Sequence, residues 1–297
     1  MEIVQRRKKK KLETMACFID FEKAFDKVPQ RAMIRKAAAK IGLTEDDRLL
    51  RFLRGIYSGA KTRLRGDTDE NAWELSQGVR QGCPLSPTLF NLFVDDALDA
   101  IKERGVSVPE MDGKVAGLCY ADDIVLLAET REKLQEAANG LSSWASIWGM
   151  RINTQKCGVI HFGEGEIAEI KLQGETLPNP ESYVYLGMDL DASLSRQRMV
   201  KRRLDKGIGC VEAMKKFLRN PSIPLLHKSL ALKNVLIPTL TFGAEITGST
   251  LAATKKAQGV ANRAAEMMLG AGIAAAAVRR DLGTPPIKTI AACLQRR

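Results

Sequence analysis

The stretch Lys114-Val-Ala-Gly-Leu-Cys-Tyr-Ala-Asp-Asp-Ile-Val-Leu-Leu-Ala128 contains two apolar runs separated only by Ala121, Asp122 and Asp123. Two short apolar runs joined by so few residues are typical of a tight β-hairpin, especially where β-branched residues are present. The sequence therefore predicts a hairpin that carries two adjacent aspartates at its tip.

A second apolar run, Met15-Ala-Cys-Phe-Ile19, predicts a buried strand that ends at Asp20. If this strand lies beside the hairpin, Asp20 joins Asp122 and Asp123 in one cluster. Like charges this close repel one another, and a cation relieves the repulsion. Carboxylates are ligands that Mg²⁺ prefers, and two such ions about 4 Å apart suit in-line displacement at phosphorus. We therefore predict a magnesium site at these three aspartates.

The chain also contains a second adjacent pair, Asp95-Asp96, within an apolar stretch of helical spacing. Consecutive residues of a helix point about 100° apart, so the two carboxylates cannot easily face one metal. We predict that this pair is solvated or hydrogen-bonded locally and takes no part in catalysis.

The overall charge favours a polyanionic partner, because 46 Lys and Arg outnumber 35 Asp and Glu. Six scattered cysteines without a C-x-x-C pair indicate a reduced, intracellular protein. No apolar run is long enough to span a bilayer, so no membrane partner is expected.

The basic run Arg6–Lys11 is interpreted either as a nuclear-localisation or nucleic-acid-binding patch, or as a solvated lead-in to the first strand. The sequence does not specify an oligomeric state.

Other chemistries lack their usual residues. There is no G-x-x-x-x-G-K-[ST] phosphate loop, and Gly163-Glu-Gly165 lacks the third glycine of a dinucleotide site. Two histidines and no G-x-S-x-G elbow leave little for a serine or cysteine triad. Carboxylate-metal chemistry remains.

The order of elements predicts an α+β fold, because strand and helix signals mix until about residue 192 and only helical signals follow. Basic helical segments such as Arg196–Lys206 begin after that point. We therefore predict one domain over residues 1–192 and a helical one over residues 193–297.

Four blocks of sequence resemble successive motifs of reverse transcriptases from non-LTR retrotransposons. They are Phe18-Ile-Asp-Phe-Glu-Lys-Ala-Phe-Asp26, Gly78-Val-Arg-Gln-Gly-Cys-Pro-Leu-Ser-Pro-Thr-Leu-Phe-Asn91, Tyr120-Ala-Asp-Asp123 and Tyr185-Leu-Gly-Met188. Their order and spacing also match, and Ile237-Pro-Thr-Leu-Thr-Phe-Gly-Ala-Glu245 resembles the thumb region of the same elements.

The resemblance implies a palm, an antiparallel sheet with packed helices and partial fingers, over residues 1–192, and a helical thumb over residues 193–297. It implies an RNA-directed DNA polymerase that uses two Mg²⁺ ions, with Mn²⁺ as a substitute. The expected partners are an RNA template, a DNA primer and dNTPs, and the expected compartment is the nucleus.

The resemblance also implies roles for single residues. Asp20 and Asp122 would be the principal metal ligands and Asp123 a looser third. Lys156 would protonate the leaving pyrophosphate, or else is an ordinary exposed lysine. The residues implied to line the nucleotide pocket are Phe25, Arg80, Gln81 and Gly82. For Phe25 the alternative is a core aromatic, and for Arg80 a surface position. The turn implied to hold the primer end contains Tyr185, Leu186 and Gly187.

One departure from the family concerns the fingers, since only some 19 residues precede Asp20. We therefore expect a fragment of an element's polyprotein or a truncated copy. Two alternatives to an active retrotransposon polymerase remain open at this point. One is a catalytically silent relic that only binds nucleic acid, and the other is a reverse transcriptase of the group II intron maturase type.

Overall fold

The structure is a computed structural model that describes residues 1–62, 72–165, 169–248, 250–269, 280 and 283–295. The chain divides into two compact units. The first contains Met1–Leu186 and Asp191–Ser193, and the second contains Gly187–Leu190 and Leu194–Arg297. Among the described residues, no helix is both long enough and apolar enough to cross a membrane.

The strands of the described residues have two to six residues each. They are β1 Thr14–Ile19, β2 Lys61–Thr62, β3 Trp73–Glu74, β4 Val106–Ser107, β5 Lys114–Val115, β6 Gly117–Tyr120, β7 Asp123–Ala128, β8 Gly158–Phe162, β9 Lys171–Leu172, β10 Glu175–Thr176, β11 Ser182–Tyr185 and β12 Met188–Asp191. The helices of the first unit are α1 Glu2–Lys9, α2 Ala24–Lys27, α3 Gln30–Ile41, α4 Arg48–Tyr57, α5 Ser86–Val94, a 3₁₀ helix Asp95–Arg104 and α6 Arg131–Ile147.

A four-stranded antiparallel sheet forms the centre of the first unit, in the order β6-β7-β1-β8. All six residues of β1 are buried, because this apolar strand has a partner on each side. Its register pairs Ile19 with Ile124 of β7 and Phe18 with Gly158 of β8. The sheet and the helices around it confirm the predicted α+β fold class.

Helix α6 packs against β1, β7 and the 3₁₀ helix. It begins at Thr130, whose side chain accepts a hydrogen bond from the Lys133 amide. Its apolar residues recur at helical spacing, so that one face enters the core while polar residues face solvent.

The basic run at the N-terminus contains a residue that neither interpretation of the sequence anticipated. Arg7 lies in α1 and is only 1% exposed. Its guanidinium donates to Thr14 Oγ1 at 2.9 Å and to the Glu13 carbonyl at 2.7 Å, and it pairs with Glu129 at 3.2 Å. Buried charge is tolerated when its donors are paired in this way. The interpretation of the run as a solvated or nucleic-acid-binding patch is therefore wrong for Arg7.

The Asp95-Asp96 pair lies at the start of the 3₁₀ helix and is held by local bonds. Asp96 Oδ1 accepts from Lys36 Nζ at 2.6 Å and from Trp144 Nε1 at 2.9 Å. Asp95 forms an ion pair with Lys40. The prediction that this pair is satisfied locally is confirmed.

The described residues after Ser193 contain helices and turns only. The helices are α7 Arg196–Arg219, α8 Leu225–Ala231, a π-helix Leu232–Leu236, α9 Ile237–Thr241, α10 Ala244–Thr247, α11 Leu251–Leu269 and α12 Ile287–Gln295. Helix α7 packs on α11 and α9, around a core that includes Val211, Leu236 and Leu240. Part of the predicted second domain, residues 270–279, lies outside the described residues.

Candidate active site

The hairpin formed by β6 and β7 places two aspartates beside the end of β1. Tyr120 pairs with Asp123, which leaves Ala121 and Asp122 as a two-residue turn. Because Ile19 pairs with Ile124 in antiparallel register, Asp20, the residue after Ile19, lies opposite Asp123, the residue before Ile124. The predicted hairpin is confirmed, and Asp20 directly follows the neighbouring strand β1.

The turn itself is strained at Ala121. This residue has a φ of +52°, in the left-handed region that favours glycine. For a residue with a Cβ, this backbone conformation costs roughly 1–2 kcal/mol of conformational free energy. The surrounding hairpin must hold this conformation, as is common where a turn carries functional side chains.

The charges of the three aspartates influence one another. Burial raises the pKa of the Asp123 carboxyl, and the negative charges of Asp122 and Asp20 raise it further. Within the described part of the chain, no three His, Cys, Asp or Glu side chains converge as a group that could hold a metal. The register places Asp20 opposite Asp123 and next to the turn that contains Asp122, and carboxylate oxygens are ligands that hard divalent cations prefer.

Lys156 lies next to Asp20. Its Nζ is 3.7 Å from Asp20 Oδ2, and its side chain is 68% exposed. The turn that carries it is tied to the same strand end, because the Asn153 amide donates to the Asp20 carbonyl at 2.8 Å. An exposed cation therefore lies beside Asp20.

A cleft of about 480 Å³ contains all the residues that the sequence assigned to the nucleotide pocket. Its lining includes Phe25, Arg80, Gln81 and Gly82. Phe25 stacks on the buried ring of Phe90, with centroids 4.4 Å apart, so it belongs both to the core and to the wall of the cleft.

Two bonds fix the polar side of this cleft. Gln81 Nε2 donates to Asp26 Oδ1 at 3.1 Å, and Arg80 donates to the Ile56 carbonyl at 3.2 Å. Asp26 therefore orients Gln81, a contact that the sequence reasoning did not find. Asp26 directly follows Phe25 in the sequence, and this adjacency to a predicted pocket residue could have pointed to it.

The predicted primer turn follows β11. Tyr185 lies 5.4 Å from Phe18 between ring centroids. Burial raises the pKa of Tyr185 to about 12, and the charge of Asp123 adds to the effect. Leu186 and Gly187 have φ values of +47° and +76°, which defines a tight turn before β12.

Gly187 belongs to the second unit and has contacts within that unit. Arg203 of α7 donates to the Gly187 carbonyl, and its guanidinium lies 4.1 Å from the centre of the Phe242 ring. A side chain at position 187 would approach both groups at 3.2 and 3.5 Å. A residue without a side chain is therefore required there for two reasons, the positive φ and the close approach.

Most of the first unit matches a known protein family. The profile of a family described as "Reverse transcriptase (RNA-dependent DNA polymerase)" matches residues 2–190. The chain belongs to the reverse transcriptase family. The match includes every residue of the candidate site that precedes β12, together with the sheet that positions the aspartates.

Relatives of this reverse transcriptase domain come from non-LTR elements, as the motifs suggested. It is 34% identical over 157 residues to the "Retrovirus-related Pol polyprotein from type-1 retrotransposable element R2" of Nasonia vitripennis, which covers 52% of this chain and 15% of that protein. It is 28% identical over 194 residues to the "RNA-directed DNA polymerase from mobile element jockey" of Drosophila funebris, which covers 62% of this chain and 20% of that protein. The chain thus spans a fifth or less of the length of these relatives.

Among solved structures, apo telomerase from Candida tropicalis aligns with a TM-score of 0.49 and 12% identity. The alignment covers 94% of this chain and 45% of the telomerase chain.

Proposed function

We propose that this reverse transcriptase domain is an RNA-directed DNA polymerase that extends a DNA primer along an RNA template with dNTPs. The observation that carries the proposal is the register of β1 and β7, which puts Asp20 opposite Asp123, one residue from the turn that contains Asp122. Three carboxylates at adjacent strand ends are the donor set for phosphoryl-transfer chemistry.

The three aspartates would hold two Mg²⁺ ions, or Mn²⁺ in their place. When bound, these ions supply activation of the primer 3′-hydroxyl and neutralise charge on the leaving pyrophosphate. The chain itself positions the carboxylates, because the pairing of β1 with β7 fixes the backbone at Asp20 and Asp123. Lys156, beside Asp20, would donate a proton to the pyrophosphate oxygen as it leaves.

The cleft beside this cluster would receive the incoming nucleotide. Phe25 would pack under the sugar, since its ring is fixed by Phe90 and lines the cleft. Gln81 and Gly82 would line the nucleotide and template side, and Arg80 would reach a phosphate. The turn at Tyr185, Leu186 and Gly187 would hold the primer end.

We assign the palm with partial fingers to residues 1–192 and the thumb to residues 193–297. Helix α7 supports the second assignment through its basic side chains, which are suited to nucleic-acid phosphates. They are Arg196, Arg198, Lys201, Arg202 and Lys206, whereas the Arg203 guanidinium is engaged by the Gly187 carbonyl and the Phe242 ring. The proposal keeps the nuclear location expected from the sequence, which imaging of a tagged chain would test.

The test is primer extension on an RNA template with purified protein, Mg²⁺ and dNTPs. We expect extension that disappears in Asp122→Asn and in the presence of EDTA. Asp95→Asn is the matched control, because it removes one carboxylate from the other adjacent aspartate pair. Loss of extension in both variants would contradict the assignment of the site.

A second candidate function is binding of nucleic acid without polymerisation. The formal charge of +11 and the basic helix α7 favour it. It predicts salt-sensitive binding of primer-template by the wild-type chain, with no Mg²⁺-dependent extension under any dNTP concentration.

A further inference from the structure

We propose that Tyr183 is a positioning residue, which fixes the turn at residues 153–157 and thereby holds Lys156 beside Asp20. The consequence for catalysis rests on the polymerase function proposed above. The hold on the turn itself rests on contacts within the first unit.

The hydroxyl of Tyr183 donates to the Lys156 carbonyl at 2.8 Å. The other end of the turn is bound to β1, through the Asn153 amide and the Asp20 carbonyl at 2.8 Å. Within the turn, the amides of Lys156 and Cys157 both donate to the Asn153 carbonyl. Tyr183 therefore supplies a side-chain bond to the turn at its Lys156 end, in addition to the backbone pairing of β8 that begins at Gly158.

The ring of Tyr183 contacts the strand that carries Asp20. It stacks on Phe18 with centroids 4.4 Å apart and an interplanar angle of 12°. Phe18 lies two residues before Asp20, so the two side chains share one face of β1. The ring thus packs against the same face of the strand from which Asp20 extends.

Gly158 provides the space for this ring. It pairs with Phe18 across β1 and β8, and a Cβ at this position would lie 2.9 Å from the Tyr183 ring. Any larger residue at 158 would push the ring away from Phe18. The stacking of Tyr183 on Phe18 therefore depends on a glycine at position 158.

The phenol remains a donor throughout the working range of pH. Burial raises the pKa of the Tyr183 hydroxyl, and nearby negative charges such as that of Asp20 raise it further. The bond to the Lys156 carbonyl consequently persists in neutral and mildly alkaline solution.

The first measurement is amide hydrogen exchange in Tyr183→Phe, which keeps the ring and removes the hydroxyl. We expect the amides of Lys156 and Cys157 to exchange about 2- to 10-fold faster, the range set by one hydrogen bond. The matched control is Tyr57→Phe, because the Tyr57 hydroxyl is buried and has no partner among the described residues. Unchanged exchange in Tyr183→Phe would overturn the proposal.

The second measurement is the rate of single-nucleotide incorporation at saturating dNTP. We expect Tyr183→Phe to lower the rate about 3- to 10-fold, with KM for dNTP and affinity for primer-template unchanged. In a Lys156→Ala background the same substitution should cause no further loss, since its effect acts through Lys156. Equal losses in both backgrounds would overturn the positioning role.

The two proposals fail in different ways. A wild-type chain that does not extend primers would refute the polymerase function, and hydrogen exchange would still decide whether Tyr183 holds the turn. A wild-type chain that extends primers, with a fully active Tyr183→Phe variant and unchanged exchange, would refute only the role of Tyr183.

Discussion

At Asp123, one of the three aspartates of the site, the surroundings disfavour the ionised form. Its folded-state pKa is raised by burial and by the charges of Asp122 and Asp20. A raised carboxyl pKa contributes stability at low pH, and this contribution is lost as the pH rises through the folded-state value. At neutral pH the ionised residue therefore lowers the free energy of unfolding.

We accordingly expect Asp123→Asn to raise the thermal midpoint at pH 7 in EDTA and to give no gain at pH 3. The same substitution should lower primer extension by about 100-fold or more, because a carboxylate ligand is lost. Asp95→Asn is the control, since its solvent-exposed ion pair with Lys40 contributes little to stability. A lower midpoint for Asp123→Asn at pH 7 would contradict this account.

Glu129 shows the opposite shift. Burial alone would raise its pKa, but hydrogen bonds from the Ser107 amide, the Lys133 side chain and the Ser107 hydroxyl hold the pKa at about 2. A depressed carboxyl pKa contributes stability above the unfolded-state value, and this is lost as the pH falls through the folded-state value.

We expect Glu129→Gln to lower the thermal midpoint at pH 7, because Arg7 and Lys133 lose their negative partner. The difference from the wild type should shrink between about pH 4.5 and pH 2, where Glu129 becomes protonated in both states. Thermal unfolding followed by circular dichroism over this range checks the prediction. A difference that stays constant with pH would exclude the charge as its cause.

At the scale of elements, α7 contains two glycines with opposite surroundings. Gly207 is buried, and a Cβ there would overlap the Leu240 side chain of α9. Gly209 is exposed, and no described residue lies within 4 Å of the Cβ it lacks. The close packing of α7 on α9 therefore depends on the first glycine only.

We expect Gly207→Ala to destabilise the chain by about 1–3 kcal/mol through overpacking. Gly209→Ala should instead stabilise it by up to about 1 kcal/mol, the difference in helix propensity. Urea unfolding of the two variants measures both values. Equal effects would mean that α7 and α9 do not pack as described.

The elements that sequence reasoning predicted best are those with a strong repeating pattern. The hairpin of β6 and β7, strand β1 and helix α6 follow from apolar runs and helical spacing. The site residues Asp20, Asp122 and Asp123 followed from the same strands. Long-range side-chain contacts do not follow from local pattern, so the roles of Arg7, Asp26 and Tyr183 required the folded chain.

At the scale of the whole molecule, the excess of basic residues should dominate binding to nucleic acid. Lys201 and Lys206 are exposed on α7, whereas Lys9 and Lys10 are exposed near the N-terminus. Each pair carries the same charge. The comparison of the two pairs therefore separates a local binding surface from a general effect of net charge.

We expect Lys201→Gln with Lys206→Gln to weaken primer-template binding and to reduce the slope of log K against log salt by up to about 2. Lys9→Gln with Lys10→Gln should change neither value appreciably. Fluorescence anisotropy at several salt concentrations provides both quantities. Equal effects from the two pairs would show that α7 is not a specific contact surface.

The central position of β1 also has a consequence for how the chain is made. This strand leaves the ribosome about a hundred residues before its partner β7, and β8 follows later still. Contacts between such distant segments slow folding, and an apolar strand is prone to aggregation until its partner strands are synthesised. The strand that ends at Asp20 thus makes completion of the site a late event in synthesis, and one that depends on protection of the nascent chain.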